Sequence, residues 1–487
     1  MSGLSVEGAV RLKPFSDAAE AVAEIRSIYD RSLATITDHF EQRINNAHSN
    51  GKIEAPYPYI AFSVSADQLN VDARLSHGVF LEPGVYGTTV TRPDLFGAYY
   101  EEQIGHLMRH HGCAVHVGPS TTPIPFAFAI QDASGASADF DFEALLDRVT
   151  VPDLWAINDA IANSTLRPQA GTPNPLALFT AERVDFSLAR LHHYTGTSAE
   201  HFQSFVLFTN YQRYADAFIE YGLRELAVSG RFDRLIGPGN IALEPGTDED
   251  AASLFGRNLP QMPAYHLKRK DGSGISLVNI GIGPSNAKTI TDHVAVLRPN
   301  CWLMVGHCAG LRRGQVLGDY VLAHGYVRAD HVLDDELPLW VPVPAIAEIQ
   351  VALAEATTRI TGLRDHELKT RLRTGTVATT DNRNWEMQLG NYFGAFNKSR
   401  AIAVDMESAT VAANGFRFRV PYGTLLCVSD RPLHGQLKLR GMANAFYRTS
   451  IDQHIMIGIE TMNILREQGV DRLHSRKLRG FVEPGFR

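Results

Sequence analysis

The stretch ISLVNIGIGPSNA, residues 275–287, decides the fold class. Its first six residues form a continuous apolar run that ends at glycine, which predicts a buried β-strand. Gly281 and Gly283 then predict a tight turn. Apolar side chains recur after the turn at spacings of three and four, which predicts a helix with one buried face: Ala287, Ile290, Val294 and Leu297. A strand that leads through a short turn into a helix is typical of a sheet covered by helices.

The same alternation continues through the chain from about residue 204. Strands are predicted at 204–210, 275–280, 302–306, 319–327, 401–404 and 422–429. Helices are predicted between several of these strands, including one over 211–226 and an alanine-rich one after residue 404. The pattern predicts an α/β domain with a mostly parallel, mixed sheet covered by helices.

The first third of the chain predicts a smaller α+β domain. A helix is predicted over 16–45, a second helix from residue 94, and strands at 57–64 and 113–118. Residues 132–180 are rich in Ala, Ser, Asp, Pro and Gly, which favours a linker. We therefore expect an N-terminal domain over 1–175 and a C-terminal domain over 176–487.

Composition excludes several classes of protein. The 487 residues carry a formal net charge of −7, which disfavours binding to nucleic acid or to a membrane surface. No apolar run approaches the about 18 residues that a membrane helix needs, and the N-terminus lacks the layout of a secretory signal. The four cysteines form no CxxC pair, so we expect reduced thiols in a cytoplasm.

Ligands bind at the carboxyl ends of parallel strands, so the residues that follow each predicted strand are the candidates for a site. Small residues, hydroxyls, carboxylates and arginine occur together there, which suits a sugar that bears an ionised group. In chain order these residues are Thr209, Asn210, Tyr211 and Arg213; Gly281, Gly283, Pro284, Ser285 and Asn286; Gly306, His307, Cys308 and Gly310; Asp405, Met406 and Glu407; and Ser429, Asp430, Arg431 and His434.

The turn around Gly283 has two interpretations. It lacks the third glycine of a dinucleotide fingerprint and the lysine of a P-loop. Its backbone N–H groups at a helix start could still face an anion or a polar ligand. The alternative is a tight turn that needs glycine only for its backbone conformation.

The two carboxylates also have structural alternatives. Glu407 at a strand-to-helix junction could accept the two vicinal hydroxyls of a ribose, or it could simply be an acidic helix N-terminus. Asp430 at the rim of an apolar strand could have its pKa raised by burial and act as an acid, or it could cap a turn.

These residues together carry a family resemblance. Their order along the chain resembles the nucleoside phosphorylase/nucleosidase superfamily, and within it the AMP nucleosidase family. The resemblance covers nearly the whole chain. The segments that carry it are 88–96, 183–196, 207–214, 277–289, 372–386, 405–410, 421–435 and 471–479.

The resemblance implies a phosphorylase-like C-terminal domain that hydrolyses AMP to adenine and ribose 5-phosphate. By it, Asp430 in the Ser429–Asp430 motif donates a proton to the purine, and Met406 and Glu407 hold the ribose. Arg213 occupies the place of an arginine that contacts phosphate. Trp385 could stack on the base, with a core tryptophan as the alternative.

The resemblance also implies regulation and assembly. It implies activation by Mg-ATP, inhibition by phosphate, a homohexamer, and no cofactor or metal for the chemistry. Arg92 in the N-terminal domain is a candidate regulatory anion contact, with a solvated surface arginine as the alternative.

One departure from the related phosphorylases bears on the reaction. Met304 stands where they usually carry an arginine, and His307 stands where a hydroxyl residue usually contacts inorganic phosphate. Because arginine forms forked bonds to phosphate, its loss favours water as the attacking group. A nucleoside phosphorylase and a non-catalytic nucleotide sensor are the alternative functions, although paired Glu407 and Asp430 argue against a pure sensor.

Overall fold

The protein is described here by a computed structural model. The described residues are 4–45, 55–130, 149–167, 171–247, 255–256, 259–437, 445–473 and 478–487. The chain divides into two compact units, Met1–Ala189 with Arg479–Arg487, and Arg190–Leu478. The sequence-based boundary after residue 175 stays a prediction, and much of the linker predicted over 132–180 lies outside the described residues.

The first unit contains a five-stranded sheet with the strand order β1-β4-β2-β3-β5. The pairings of β4 with β1 and β2, and of β2 with β3, are antiparallel, whereas β3 and β5 are parallel. The strands are β1 (Lys13–Phe15), β2 (Pro56–Val64), β3 (Gly84–Thr89), β4 (Val115–Pro123) and β5 (Asn174–Pro175). The helices are α1 (Ala18–Asn45), α2 (Pro93–His111) and α3 (Phe126–Ala129).

The predicted N-terminal helix is present because its apolar spacing buries one face. Ala21 and Ile25 are fully buried, and Tyr29 and Ile36 lie on the same stripe. The C-terminal segment also belongs to this unit, where the Phe486 side chain is buried and its N–H donates to the carbonyl oxygen of Leu176 at 2.9 Å.

The second unit contains a ten-stranded sheet with the order β14-β13-β12-β15-β11-β6-β10-β9-β7-β8. The strands are β6 (Phe205–Thr209), β7 (Arg234–Gly237), β8 (Ile241–Leu243), β9 (Ala264–Lys268), β10 (Ile275–Asn279), β11 (Cys301–Gly310), β12 (Tyr320–Ala329), β13 (Leu372–Thr380), β14 (Ala403–Asp405) and β15 (Tyr422–Asp430).

Helices connect most of these strands. They are α4 (Ala181–Thr195), α5 (Gln212–Val228), α6 (Pro284–Val294), α7 (Ala347–Thr361), α8 (Asp365–Arg371), α9 (Leu389–Lys398), α10 (Ser408–Phe418) and α11 (Ala445–Gln468). Helix α4 starts in the first unit and ends in the second. The predicted fold class is confirmed, since a mixed sheet with helices between its strands forms this unit.

Four neighbouring parallel strands, β10, β6, β11 and β15, form the part of the sheet that matters for function. Asn279 is in register with Thr209 on β6, and Ala309 on β11 is in register with Asp430 on β15. Because the four strands run in the same direction, their carboxyl ends meet at one edge of the sheet.

The sheet is less parallel than the sequence suggests. Five strand pairings are parallel and five are antiparallel among the described residues. The antiparallel pairings include the hairpin of β7 and β8 and the pairing of β12 with β15. Apolar runs predict that a strand is buried, but they carry no information on strand direction.

Candidate active site

The structure places a group of polar side chains at the carboxyl ends of the parallel strands. Asn210 directly follows β6, His307 lies near the end of β11, and Asp430 is the last residue of β15. Gly283 is the N-cap residue of α6 and Glu407 is the N-cap residue of α10. Strand ends and helix starts therefore supply this edge of the sheet, as the sequence predicts.

The carboxylate of Glu407 is held by two hydrogen bonds from distant parts of the chain. The backbone N–H of Gly283 donates to Glu407 Oε1 at 2.8 Å. The side-chain Nδ2 of Asn210 donates to Glu407 Oε2 at 3.0 Å. The Glu407 residue is only 1% exposed. We call this arrangement the Glu407 clamp.

Local sequence explains why the clamp can form. Gly283 has a φ of +117°, which side chains with a β-carbon rarely adopt, so only glycine presents its N–H there without strain. Pro284 then begins α6, where its fixed φ suits the first turn of a helix. The turn around Gly283 thus both needs glycine for its backbone and holds the Glu407 carboxylate.

A second buried carboxylate, Asp405, adjoins the clamp. Its Oδ1 accepts a hydrogen bond from the Thr379 hydroxyl at 2.6 Å. Its Oδ2 accepts from the Ser408 N–H at 2.9 Å and from the Ser408 hydroxyl. Burial raises the pKa of Glu407 well above its usual range, and the negative charge of Asp405 raises that pKa further. Burial also raises the pKa of Asp405, against the effect of its hydrogen bonds.

Asp430 is the last residue of the largely buried strand β15 and is only 6% exposed. The hydroxyl of Ser429 donates to Asp430 Oδ1 at 2.5 Å and also lies 3.3 Å from the carbonyl oxygen of Cys308. Ser429 therefore orients the carboxyl group of its neighbour and ties it to β11. A carboxyl in this setting can exchange a proton with a ligand at the sheet edge.

His307 belongs to a buried chain of hydrogen bonds. His454 Nε2 faces the Leu425 carbonyl oxygen at 2.9 Å, so this nitrogen carries the proton. Burial lowers the pKa of His454 to about 3, so His454 is neutral and its Nδ1 accepts from the Tyr214 hydroxyl at 2.7 Å. The Tyr214 oxygen can then accept from His307 Nε2, which lies 3.4 Å away.

Met304 is fully buried on β11. A buried apolar side chain therefore stands at the position where the related phosphorylases usually carry an arginine. The expectation that free inorganic phosphate is not held there stays a prediction.

Three other predicted residues have the following surroundings. Arg213 lies on α5 with half of its side chain exposed and forms an ion pair with Asp452 at 2.5 Å. Met406 is half-buried between β14 and α10. Trp385 is 5% exposed and packs edge-to-face against Phe396 in a hydrophobic cluster. Their proposed contacts with substrate stay predictions.

Arg92 lies in the first unit, at the start of α2. Its guanidinium binds both carboxylate oxygens of Asp94, with Nη2 at 2.8 Å from Oδ2. The preceding Thr91 hydroxyl donates to the buried carboxylate of Asp185 at 2.8 Å, which also accepts from the Tyr57 hydroxyl at 2.7 Å. Arg92 is therefore a fixed side chain of a packed region, and its regulatory role stays a prediction.

Sequence reasoning gave no role to Asn210. It named this residue only because it follows a predicted strand. Its contact with Glu407 joins positions 197 apart in the chain, and no local pattern signals such a contact. Among the described residues, no helix is long and apolar enough to cross a membrane, and no three His, Cys, Asp or Glu side chains form a group that could hold a metal ion.

Comparison with known proteins agrees with this architecture. The family described as "Bacterial AMP nucleoside phosphorylase N-terminus" matches residues 20–173, and the phosphorylase superfamily matches residues 255–450. Proteins named AMP nucleosidase from Escherichia coli K12 and from Escherichia coli O157:H7 are each 48% identical over 478 residues. These matches cover 96% of this chain and 98% of each relative.

The chain belongs to the AMP nucleosidase family. Among solved structures, an AMP nucleosidase from Bacteroides thetaiotaomicron is 26% identical with a TM-score of 0.43, over 58% of this chain and 97% of that one. Membership of the AMP nucleosidase family confirms the resemblance seen in the sequence, which covers nearly the whole chain.

The Glu407→Gln substitution tests the raised pKa of Glu407 through the pH dependence of the free energy of unfolding. Folding raises the pKa of Glu407 above the ordinary value of 4.5, so between the two values the folded state binds more protons than the unfolded state. Wild-type stability should therefore fall as pH rises above about 4.5, until the folded-state pKa is passed. Glu407→Gln removes this group, so its stability should fall less between pH 5 and pH 9.

Urea unfolding of both proteins across that pH range measures the difference. Parallel stability curves for the wild type and the variant would contradict the raised pKa of Glu407.

Proposed function

We propose that this chain hydrolyses the N-glycosidic bond of AMP and releases adenine and ribose 5-phosphate. The observation that carries the proposal is the 48% identity to proteins named AMP nucleosidase over nearly the full length of both chains. The geometry supports it, since a clamped buried carboxylate and a carboxyl group at a strand end lie at the same sheet edge.

Asp430 acts as the general acid in this proposal. Departure of adenine leaves positive charge on the sugar ring, as in other glycosyl transfers. Protonation of purine N7 by Asp430 makes adenine a neutral leaving group, a contribution of roughly 10²–10⁴-fold. The hydroxyl of Ser429 supports this role, because it fixes the orientation of the Asp430 carboxyl group.

Glu407 and Met406 hold the ribose. Each carboxylate oxygen of Glu407 accepts one hydrogen bond in the clamp and keeps a further lone pair. Two vicinal ribose hydroxyls match these two oxygens. The ionised carboxylate also stabilises the positive charge that develops on the sugar, and Met406 directly precedes Glu407 in the chain.

The attacking group is water. Met304 removes the cation that would bind inorganic phosphate, which disfavours the phosphorylase alternative. Arg213 then contacts the phosphate that AMP itself carries, and it exchanges its present partner Asp452 for that phosphate. No metal or cofactor takes part in the chemistry that we propose.

The product of AMP cleavage tests the proposal, with Asp430→Asn as the diagnostic variant. Chromatography of base and sugar products should show adenine and ribose 5-phosphate from AMP, with or without inorganic phosphate in the buffer. Asp430→Asn should retain nucleotide binding but lower kcat by about 10²-fold or more, because an amide cannot donate the proton.

Asp452→Asn is a comparison that leaves the proposed acid in place. It alters only the partner of Arg213, so it should change the KM for AMP and should not lower kcat as Asp430→Asn does. Formation of a phosphorylated C1 product only when phosphate is added would identify a phosphorylase instead. Near-normal turnover of Asp430→Asn would remove Asp430 from its role.

We further propose a regulated homohexamer in the cytoplasm, activated by Mg-ATP and inhibited by phosphate. Support comes from the resemblance to the AMP nucleosidase family and from a separate N-terminal unit, whose residues 20–173 match their own family. The cytoplasmic location is supported by the four cysteines, which are free thiols in the described structure, because thiols stay reduced in a cytoplasm.

Arg92→Ala tests the regulatory proposal. If Arg92 binds the anionic effector, the variant should lower the ratio of the rates with and without Mg-ATP by about tenfold, the loss of one charge-assisted contact. Arg74→Ala is a matched control, because Arg74 binds Asp72 in the same two-residue pairing on the same unit. An unchanged ratio in Arg92→Ala, measured by steady-state kinetics, would exclude Arg92 as the effector contact.

A further inference from the structure

The Glu407 clamp explains the role of the Asn210 amide nitrogen. It does not explain the role of the amide oxygen, Oδ1. Its Nδ2 donates to Glu407 Oε2 at 3.0 Å. This contact fixes the orientation of the amide, because the opposite orientation would place the amide oxygen against a carboxylate oxygen. Asn210 Oδ1 must therefore point away from Glu407.

That oxygen is buried and accepts no hydrogen bond from any residue in the described part of the chain. Buried acceptors in native proteins nearly always have a partner, which can be a protein group or an ordered water. The lone acceptor next to the clamp thus indicates a position for a small hydrogen-bond donor.

Gly306 brings the backbone of β11 close to this oxygen. A β-carbon built on Gly306 would lie 3.3 Å from Asn210 Oδ1 and 2.9 Å from the terminal methyl carbon of Met304. Any side chain at position 306 would crowd the amide oxygen. The end of β11 therefore runs close beside this oxygen and adds no side chain there.

The chemistry of the substrate places the attacking water on the same side. In a β-ribonucleotide the base stands on one face of the ribose and the 2′- and 3′-hydroxyls stand on the other. Direct displacement of the base requires water to approach C1′ from the face opposite the base. That is the face of the hydroxyls, which Glu407 receives, and Asn210 is in direct contact with Glu407.

We propose that Asn210 Oδ1 accepts a hydrogen bond from the nucleophilic water and aims its oxygen at C1′. This inference rests on the proposed hydrolysis of AMP. Asn210 then acts twice, since its nitrogen holds the carboxylate that binds the ribose and its oxygen orients the water. Asn210 cannot accept a proton, so its contribution is orientation of the nucleophile.

The step balances without a further reagent. The water oxygen forms a bond to C1′ as the bond from C1′ to N9 breaks, and the bonding electrons pass into the purine. Adenine takes a proton at N7 from Asp430. The attacking water, now bound to C1′, loses one proton to solvent, and solvent returns a proton to Asp430.

Competition between water and azide tests the proposal. Azide has no hydrogen to donate, so it gains nothing from an acceptor at Asn210 Oδ1. The full-length wild type, Asn210→Ala, Asn210→Asp and Glu407→Gln are each incubated with AMP and sodium azide. The ratio of ribosyl azide 5-phosphate to ribose 5-phosphate is then measured by chromatography with mass detection.

Asn210→Ala should lower the hydrolytic kcat by about 10²-fold and raise the share of azide product about tenfold or more over the wild type. Asn210→Asp keeps an acceptor and adds a negative charge, so its azide share should fall below that of the wild type. Glu407→Gln is the matched control. It alters the other end of the same hydrogen bond and no longer fixes the orientation of the Asn210 amide, so it should slow both reactions and raise the azide share by less than Asn210→Ala does.

An azide-to-water product ratio in Asn210→Ala equal to that of the wild type would overturn the proposal. So would a change of this ratio in Glu407→Gln as large as that in Asn210→Ala. If Asn210→Ala does not fold, an unchanged product ratio in Asn210→Asp would overturn the proposal. If no protein forms the azide product, the kinetic constants of Asn210→Ala decide. A loss in kcat with KM within about threefold supports the proposal, and a rise in KM with kcat unchanged overturns it. A wild type that forms no ribose 5-phosphate would instead refute the proposed function itself.

Discussion

Two hydrogen bonds to the buried carboxylate of Glu407 are the interaction on which the arrangement of the site depends. They join the turn before α6, the end of β6 and the start of α10, three segments that are far apart in the chain. A buried carboxylate without such donors would carry a large desolvation cost. The chain supplies the donors from one glycine N–H and one asparagine amide, so the sheet edge can keep an acceptor group ready for a sugar.

The neighbour Asp405 makes this carboxylate easier to protonate, because two negative charges in a buried place repel each other. Binding of ribose hydroxyls would add donors to Glu407 and favour its ionised form. Positive charge that develops on the sugar would favour the ionised form further. Under the proposed function, the clamp would couple recognition of the ribose to stabilisation of the transition state, while Asp430 at the end of β15 would serve the leaving base.

The sequence predicted the main features of this site for physical reasons. Apolar runs mark the buried strands, and the carboxyl ends of parallel strands must meet, so Asn210, Gly283 and Asp430 could be placed at one edge. Glu407 follows β14, which is antiparallel to β11, so it reaches the same edge from a strand of opposite direction. The antiparallel pairing of β12 with β15 could not be predicted, because hydrophobic periodicity does not encode strand direction. The role of Asn210 also escaped prediction, since it depends on a contact with a residue 197 positions away. The raised pKa of Glu407 depends in turn on its burial beside Asp405, which only the folded chain creates.

The central claim is that the clamped carboxylate of Glu407 receives the ribose hydroxyls of the substrate. The ratio of kcat/KM for AMP to kcat/KM for 2′-deoxy-AMP, measured in the wild type and in Glu407→Gln, tests it most directly. The account predicts that the loss of kcat/KM caused by Glu407→Gln is larger for AMP than for 2′-deoxy-AMP, by about tenfold or more. The reason is that only AMP offers both ribose hydroxyls to the two oxygens of Glu407. Equal losses on the two nucleotides would show that Glu407 does not contact the 2′-hydroxyl and would contradict the account.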